Sequence, residues 1–202
     1  MPDLLNYYLT GIPTNEYTDA TMSLMVDQEN KQWERRFFDE LGFPGHAFGD
    51  LIMPGTRIGP VQQSVAAEME IPPIPVIGVA SHDTASAIAG MPISGSGKWL
   101  YLSLGTWAIL GTEGARVYKD QKTFSLGLGN QGGCEGKTNL NSLFTGLWVI
   151  QQCYERWCSE AGKRIGWDAV SASLARAERG RAFIDLDDEA FAQPNPNMPV
   201  KV

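Results

Sequence analysis

The run Pro75-Val76-Ile77-Gly78-Val79-Ala80 constrains this chain more than any other stretch. It is entered through Pro72-Pro73-Ile74-Pro75 and gives way at Ser81-His82-Asp83-Thr84 to the small residues Ala85-Ser86-Ala87. Proline rings hold the entry extended, and the apolar run that follows reads as a buried strand over 76–80. The small residues beyond it favour helix from about Thr84. A strand that ends at a carboxylate, followed by a helix whose free N–H groups face the same point, belongs to α/β architecture and suits a phosphate or a sugar. Asp83 is therefore the first candidate for chemistry. Its other possible job is to cap the helix that follows it.

With 202 residues the chain has length for one full domain or parts of two, and 43% hydrophobic against 19% charged residues is ordinary globular composition. A net charge of −7 argues against a nucleic-acid partner, whose affinity comes largely from Lys and Arg displacing counterions. No uninterrupted apolar run is long enough to cross a bilayer, and Met1-Pro2-Asp3 has no basic region before an apolar stretch. A soluble, cytoplasmic protein without a membrane partner is expected. Cys134, Cys153 and Cys158 are odd in number and lack paired spacing, so they read as reduced thiols, and no His or Cys set completes a zinc site.

Periodicity predicts a helix over Asp3 to Leu9 stopped by Gly11 and Pro13, and a second capped by Asn15 and running to Val26. A third is expected over Lys31 to Leu41, with Trp33, Phe37, Phe38 and Leu41 in the core and Gly42 ending it. Gly90 to Gly97, rich in Gly, Pro and Ser, marks a boundary between lobes. Lys98 to Leu104 and Trp107 to Thr112 read as a hairpin turning at Gly105-Thr106, with Thr123 to Leu128 and Lys137 to Leu140 as weaker strands. Gly146 to Ala161 and Asp168 to Arg179 have helical spacing. The tail Phe191 to Val202, with three prolines and no apolar face, forms no compact element alone.

Several familiar patterns fail on inspection. Gly127-Leu128-Gly129-Asn130-Gln131-Gly132 has the letters of a dinucleotide fingerprint, yet a strand rather than a helix is expected after it. Gly95-Ser96-Gly97-Lys98 resembles the end of a P-loop, but Pro92 replaces the first glycine and Trp99 the Mg²⁺-binding Ser or Thr. Ser81 and Ser103 lie outside a nucleophile elbow, and only His46 and His82 could act as an imidazole base. Asp185, Asp187 and Asp188 lack the glycine and distal Glu of a calcium loop.

What survives is His82-Asp83 together with Ser103-Leu104-Gly105-Thr106-Trp107. With Val79 to Ala87, Tyr101 to Trp107, Gln131-Gly132-Gly133, Glu135-Gly136 and Gly146-Leu147-Trp148 followed by Gln151, the chain resembles the FGGY carbohydrate-kinase family. Weaker echoes are Pro2 to Tyr7, Glu16 to Thr21 and Pro194 to Pro199. The resemblance implies an α/β, actin-like ATPase fold of the ribonuclease H-like kind. Residues 1–92 would be the C-terminal part of the first, sugar-binding lobe and 93–202 the N-terminal part of the second, nucleotide-binding lobe. It implies a kinase moving the γ-phosphoryl group of ATP to a hydroxyl of a ketose such as L-rhamnulose, with ATP and Mg²⁺ as cofactors. Asp83 matches the catalytic base, and His82, Asp83 and Thr84 match sugar-binding positions. Gly105 and Thr106 match the phosphate-binding turn and Gln151 a nucleotide contact; no residue here matches a protein metal ligand.

The sequence also departs from that pattern. The acidic, Gly-rich N-terminal hairpin and the late adenosine-binding segment of such kinases have no counterpart here, which predicts a central fragment with little or no activity by itself. Leu143 stands where rhamnulose-specific members usually carry asparagine. A kinase for fuculose, xylulose or a polyol, and a non-catalytic sugar-binding remnant, are the alternative expectations.

Overall fold

The computed structural model describes residues 1–93, 97–186, 188–191, 193–195 and 197–202. Part of the expected lobe boundary, the Gly95-Ser96 portion of the P-loop-like string, and Asp187 of the acidic run lie outside the described residues.

In chain order the elements are α1 (Pro2–Thr10), β1 (Thr14–Glu16), α2 (Tyr17–Ala20), β2 (Val26–Asp27), β3 (Gln32–Trp33), α3 (Arg35–Leu41), β4 (Asp50–Ile52), β5 (Arg57–Pro60), α4 (Gln63–Glu68), β6 (Pro75–Ile77) and α5 (Asp83–Ala89). They continue with β7 (Tyr101–Leu104), β8 (Trp107–Gly114), α6 (Gln121–Ser125), β9 (Gly129–Gly132), β10 (Thr138–Thr145), α7 (Trp148–Ala161), α8 (Trp167–Arg176) and α9 (Met198–Lys201). β1 pairs in parallel with β4, β2 with β3 and β5 with β6 antiparallel, and the larger sheet has the order β7-β8-β10-β9. The chain divides into two compact units, one of residues 1–101 and 111–142, the other of residues 102–110 and 143–202.

In the first unit α1 begins on Pro2, where the missing N–H has no helical partner to lose, and ends at Gly11 (φ 74°), whose N–H returns to Tyr7 O. Tyr17, Ala20 and Val26 form its small core, flanked by Trp33, Leu51 and Met53. Asn15 does not cap the second helix. It lies in β1, where its Oδ1 accepts the Gly49 N–H, and the Glu16 side chain does the capping. The third helix starts at Arg35, because Gln32-Trp33 pairs with β2 instead. Phe38 is buried and stacks on Phe48 at 4.6 Å, whereas Leu41, expected in the core, is 62% exposed. β6 has β5 as its partner and ends at Ile77, which is exposed, as is Val79 beyond it, so the strand before Asp83 is shorter than the expected 76–80 and not buried as expected. Residues 121–125, which overlap the start of the expected strand over 123–128, are helical: Asp120 accepts the Thr123 N–H at 2.9 Å, a cap that outweighs local strand propensity. The glycine string at 127–132 enters β9, not a helix.

The second unit is built on α7. Val149 and Cys153 pack with Phe191 and Met198, so the tail does supply core residues once α7 offers an apolar face to cover. Tyr154 stacks on Trp167 at 4.5 Å and donates its hydroxyl to Ile165 O, clasping α8 against α7. Trp148 is partly buried against this core, whereas Trp107 is 59% exposed at the edge of a turn.

Candidate active site

β6 ends at Ile77, and the chain runs through Val79-Ala80-Ser81 to His82 at the N-cap of α5. His82 makes no side-chain cap hydrogen bond, and Asp83 is the first residue of the helix itself. Its Oδ1 accepts the N–H of Thr84, the next residue, at 2.6 Å. A capping carboxylate bonds two or three residues ahead, so this contact orients the carboxylate instead of finishing the helix. The Asp83 side chain is 98% exposed, and Oδ2 has no hydrogen-bond partner among the described residues. His82 is tucked in at 14% side-chain exposure, with Nε2 3.7 Å from Asp83 Oδ1 and Nδ1 buried without a hydrogen-bond partner among the described residues. Thr84 is buried, its hydroxyl 3.4 Å from the same carboxylate oxygen. The three sugar-site residues read from the sequence therefore share one helix start.

That helix start is held by residues the sequence pointed to only as a weak echo. Glu16 is fully buried (0% exposed), and its Oε2 accepts the Ser81 N–H at 2.9 Å. The Thr18 hydroxyl donates to Glu16 Oε2 and accepts the His82 N–H at 3.2 Å. Asp3 backs this arrangement, taking the Glu16 N–H on Oδ1 and the Asn15 amide on Oδ2. The Cys134-Glu135-Gly136 turn packs against α5, with Glu135 in the left-handed region at φ 52°. Burial first and the Glu16 charge next push the Cys134 thiol above its ordinary value. An acidic residue two before a threonine, far from His82-Asp83 in sequence, was the available signal, and only packing gives it meaning.

Gly105, Thr106 and Gln151 lie in the second unit. Gly105-Thr106 joins β7 to β8, and the turn is tied to the start of α7. The N–H groups of Gly146 and Trp148 donate to Thr106 O, and that of Leu147 donates to Gly105 O at 2.7 Å. Gly146 is required here: a Cβ on it would lie 2.6 Å from Gly105 O and 2.6 Å from the Trp107 carbonyl carbon. Thr106 is exposed and its hydroxyl has no hydrogen-bond partner among the described residues, a donor arrangement that fits a phosphate oxygen. Gln151, also exposed, sits one turn into the same helix, its N–H bonded to Leu147 O. Among the described residues no group of three His, Cys, Asp or Glu could hold a metal, and no helix is long and apolar enough to cross a membrane.

The fold is that of actin-like ATPase, ribonuclease H-like α/β proteins, shared with solved sugar kinases. The chain belongs to the FGGY family of carbohydrate kinases, whose N-terminal domain matches residues 1–90. Among curated relatives, the rhamnulokinase of Bacteroides thetaiotaomicron is 34% identical over 96% of this chain and 39% of its own length. That of Pectobacterium carotovorum is 33% identical over 98% and 38%. The chain thus spans about two fifths of the length of the relatives it matches. Among solved structures, a xylulose kinase from Rhodospirillum rubrum superposes with TM-score 0.67 at 22% identity, over 88% of this chain and 36% of that one. A gluconate kinase from Lactobacillus acidophilus does so with TM-score 0.63 at 16% identity, over 76% and 30%.

Proposed function

We propose that this chain forms part of an ATP-dependent sugar kinase acting on a ketose such as L-rhamnulose, with Asp83 as the general base. The observation that carries the reading is the Asp83 carboxylate, held on one oxygen by Thr84, open on the other and not used as a helix cap. The names of the curated relatives favour rhamnulose as the sugar. Residues 1–92 would contribute to the sugar-binding lobe and 93–202 to the nucleotide-binding lobe.

Asp83 Oδ2 takes the proton of the sugar hydroxyl while that oxygen forms the new bond to phosphorus and ADP leaves. The transition state of such a transfer is loose, so placement of the carboxylate matters more than its basicity. His82, packed in and adjacent to Asp83, offers Nε2 to a second sugar hydroxyl, and Thr84 acts on the sugar through the carboxylate it holds. Gly105 lets the backbone approach phosphate oxygens, the Thr106 hydroxyl donates to one of them, and Gln151 contacts the nucleotide. ATP would supply the γ-phosphoryl group, and Mg²⁺ would offset the negative charge that develops during the transfer.

The test is a chimera in which this chain replaces the corresponding segment of the Bacteroides thetaiotaomicron rhamnulokinase. It is expected to phosphorylate L-rhamnulose, and Asp83→Asn is expected to lower kcat at least about 100-fold, within the range positioned proton transfer contributes. A chimera whose turnover survives Asp83→Asn unchanged would refute Asp83 as base. Faster turnover of xylulose or fuculose would replace rhamnulose.

A further inference from the structure

We infer that Glu16 and Thr18 are positioning residues for Asp83; the inference rests on the kinase reading above. Glu16 is fully buried and has no ion-pair partner among the described residues. Burying a carboxylate without a cation is costly unless every lone pair is used. Here Oε1 takes the Thr18 N–H at 3.0 Å, and Oε2 takes the Asp19 N–H at 3.2 Å, the Thr18 hydroxyl and the Ser81 N–H. Capping a four-residue helix requires none of this charge, since Ser, Thr or Asn would serve. The bonds beyond the cap go elsewhere. One reaches Ser81, 65 residues away, and the Thr18 hydroxyl extends the chain to the His82 N–H, 64 residues away.

Ser81 and His82 are the two residues immediately before Asp83. Pinning both amides sets the backbone direction in which the chain enters α5, and with it the direction of the Asp83 carboxylate. On the other side the Ser86 hydroxyl bonds Ala80 O and the Thr84 N–H bonds Asp83 Oδ1, so the segment is fastened from both ends. Charge-assisted bonds of this kind are shorter and about twice as strong as neutral ones, which suits a device that must resist deflection. A loss of alignment of about 1 Å at a reacting group can cost on the order of 100-fold in rate.

Two variants separate positioning from simple support. Thr18→Val removes the hydroxyl while keeping the shape, and Thr18→Ser restores it. In the chain itself, Thr18→Val is expected to leave the far-ultraviolet dichroism unchanged and to speed hydrogen exchange of the Ser81 and His82 amides at least about 10-fold. In the chimera it is expected to lower kcat about 10- to 100-fold with KM for the ketose within about 3-fold, consistent with lost alignment. Thr18→Ser is expected to recover most of both. If Thr18→Val exchanges and turns over like the parent while Asp83→Asn still abolishes turnover, the positioning role is overturned and the kinase reading stands. If Asp83→Asn itself is harmless, the base assignment falls and the positioning role with it.

Discussion

Replacing Gly146 with alanine is expected to destabilise the second unit by about 3 kcal/mol, and the figure follows from geometry. The added Cβ would lie 2.6 Å from Gly105 O, 2.6 Å from the Trp107 carbonyl carbon and 2.7 Å from Ala108 N, about 0.8 Å inside the 3.4 Å at which ordinary contact begins. All three atoms are backbone, so no side chain can swing aside. Overpacking of this kind costs about 1–3 kcal/mol. The turn can retreat only by stretching the three bonds from Gly146, Leu147 and Trp148 to Gly105 O and Thr106 O, each worth roughly 0.5–1.5 kcal/mol. At 2–4 °C per kcal/mol for a chain of this size, the midpoint should fall by about 6–12 °C. Urea and thermal unfolding followed by tryptophan fluorescence reads the change directly, because Trp107 and Trp148 flank the contact. Gly166→Ala is the control: its Cβ meets nothing within 4 Å, and only the cost of alanine at the α8 N-cap, about 1 kcal/mol or less, is expected. A Gly146→Ala midpoint equal to that of the control would refute the claim that the turn is clamped to α7.

Met198 is fully buried among Val149, Cys153 and Phe191, and Met198→Ala should cost roughly 2–5 kcal/mol in the same unfolding assay. A loss below about 0.5 kcal/mol would mean the tail is not part of the core. Tyr101 is buried, and burial first, then the Glu113 charge, raise its pKa above the usual value near 10 despite the hydrogen bond that Asn141 Nδ2 donates to it. Because the folded value is the higher one, the stability it contributes is complete below about pH 10 and is lost as pH rises through the folded value. Urea midpoints taken from about pH 8 upward should show that decline, and Tyr101→Phe should flatten it while losing the Asn141 bond at neutral pH. An identical alkaline limb in Tyr101→Phe would remove Tyr101 as its cause.

Much of the fold could be read along the chain because its signals are local. Gly11 and Gly42 stop α1 and α3 at the expected residues through left-handed conformations that glycine adopts without strain. The 3.6-residue spacing over 146–161 became α7, and the Gly105-Thr106 turn fell between two neighbouring strands as the alternation on either side implied. Where the reading failed, a competing hydrogen-bond or packing partner, near or distant in sequence, decided the outcome. Gln32-Trp33 left the expected helix to pair with Val26-Asp27, and Asp120 pulled residues 121–125 into a helix. Phe191 and Met198 gained a role only when α7 presented Val149 and Cys153 to them.

The candidate site divides the same way. The sequence by itself determined that a carboxylate follows a strand and opens a helix at Asp83, and that a glycine-threonine turn follows the next strand, because both depend on residues adjacent in the chain. It took the folded chain to show that Gly146 admits no side chain and that a buried Glu16 fixes the amides of Ser81 and His82. Those depend on hydrogen bonds and contacts between residues tens of positions apart, and a linear pattern carries no term for them.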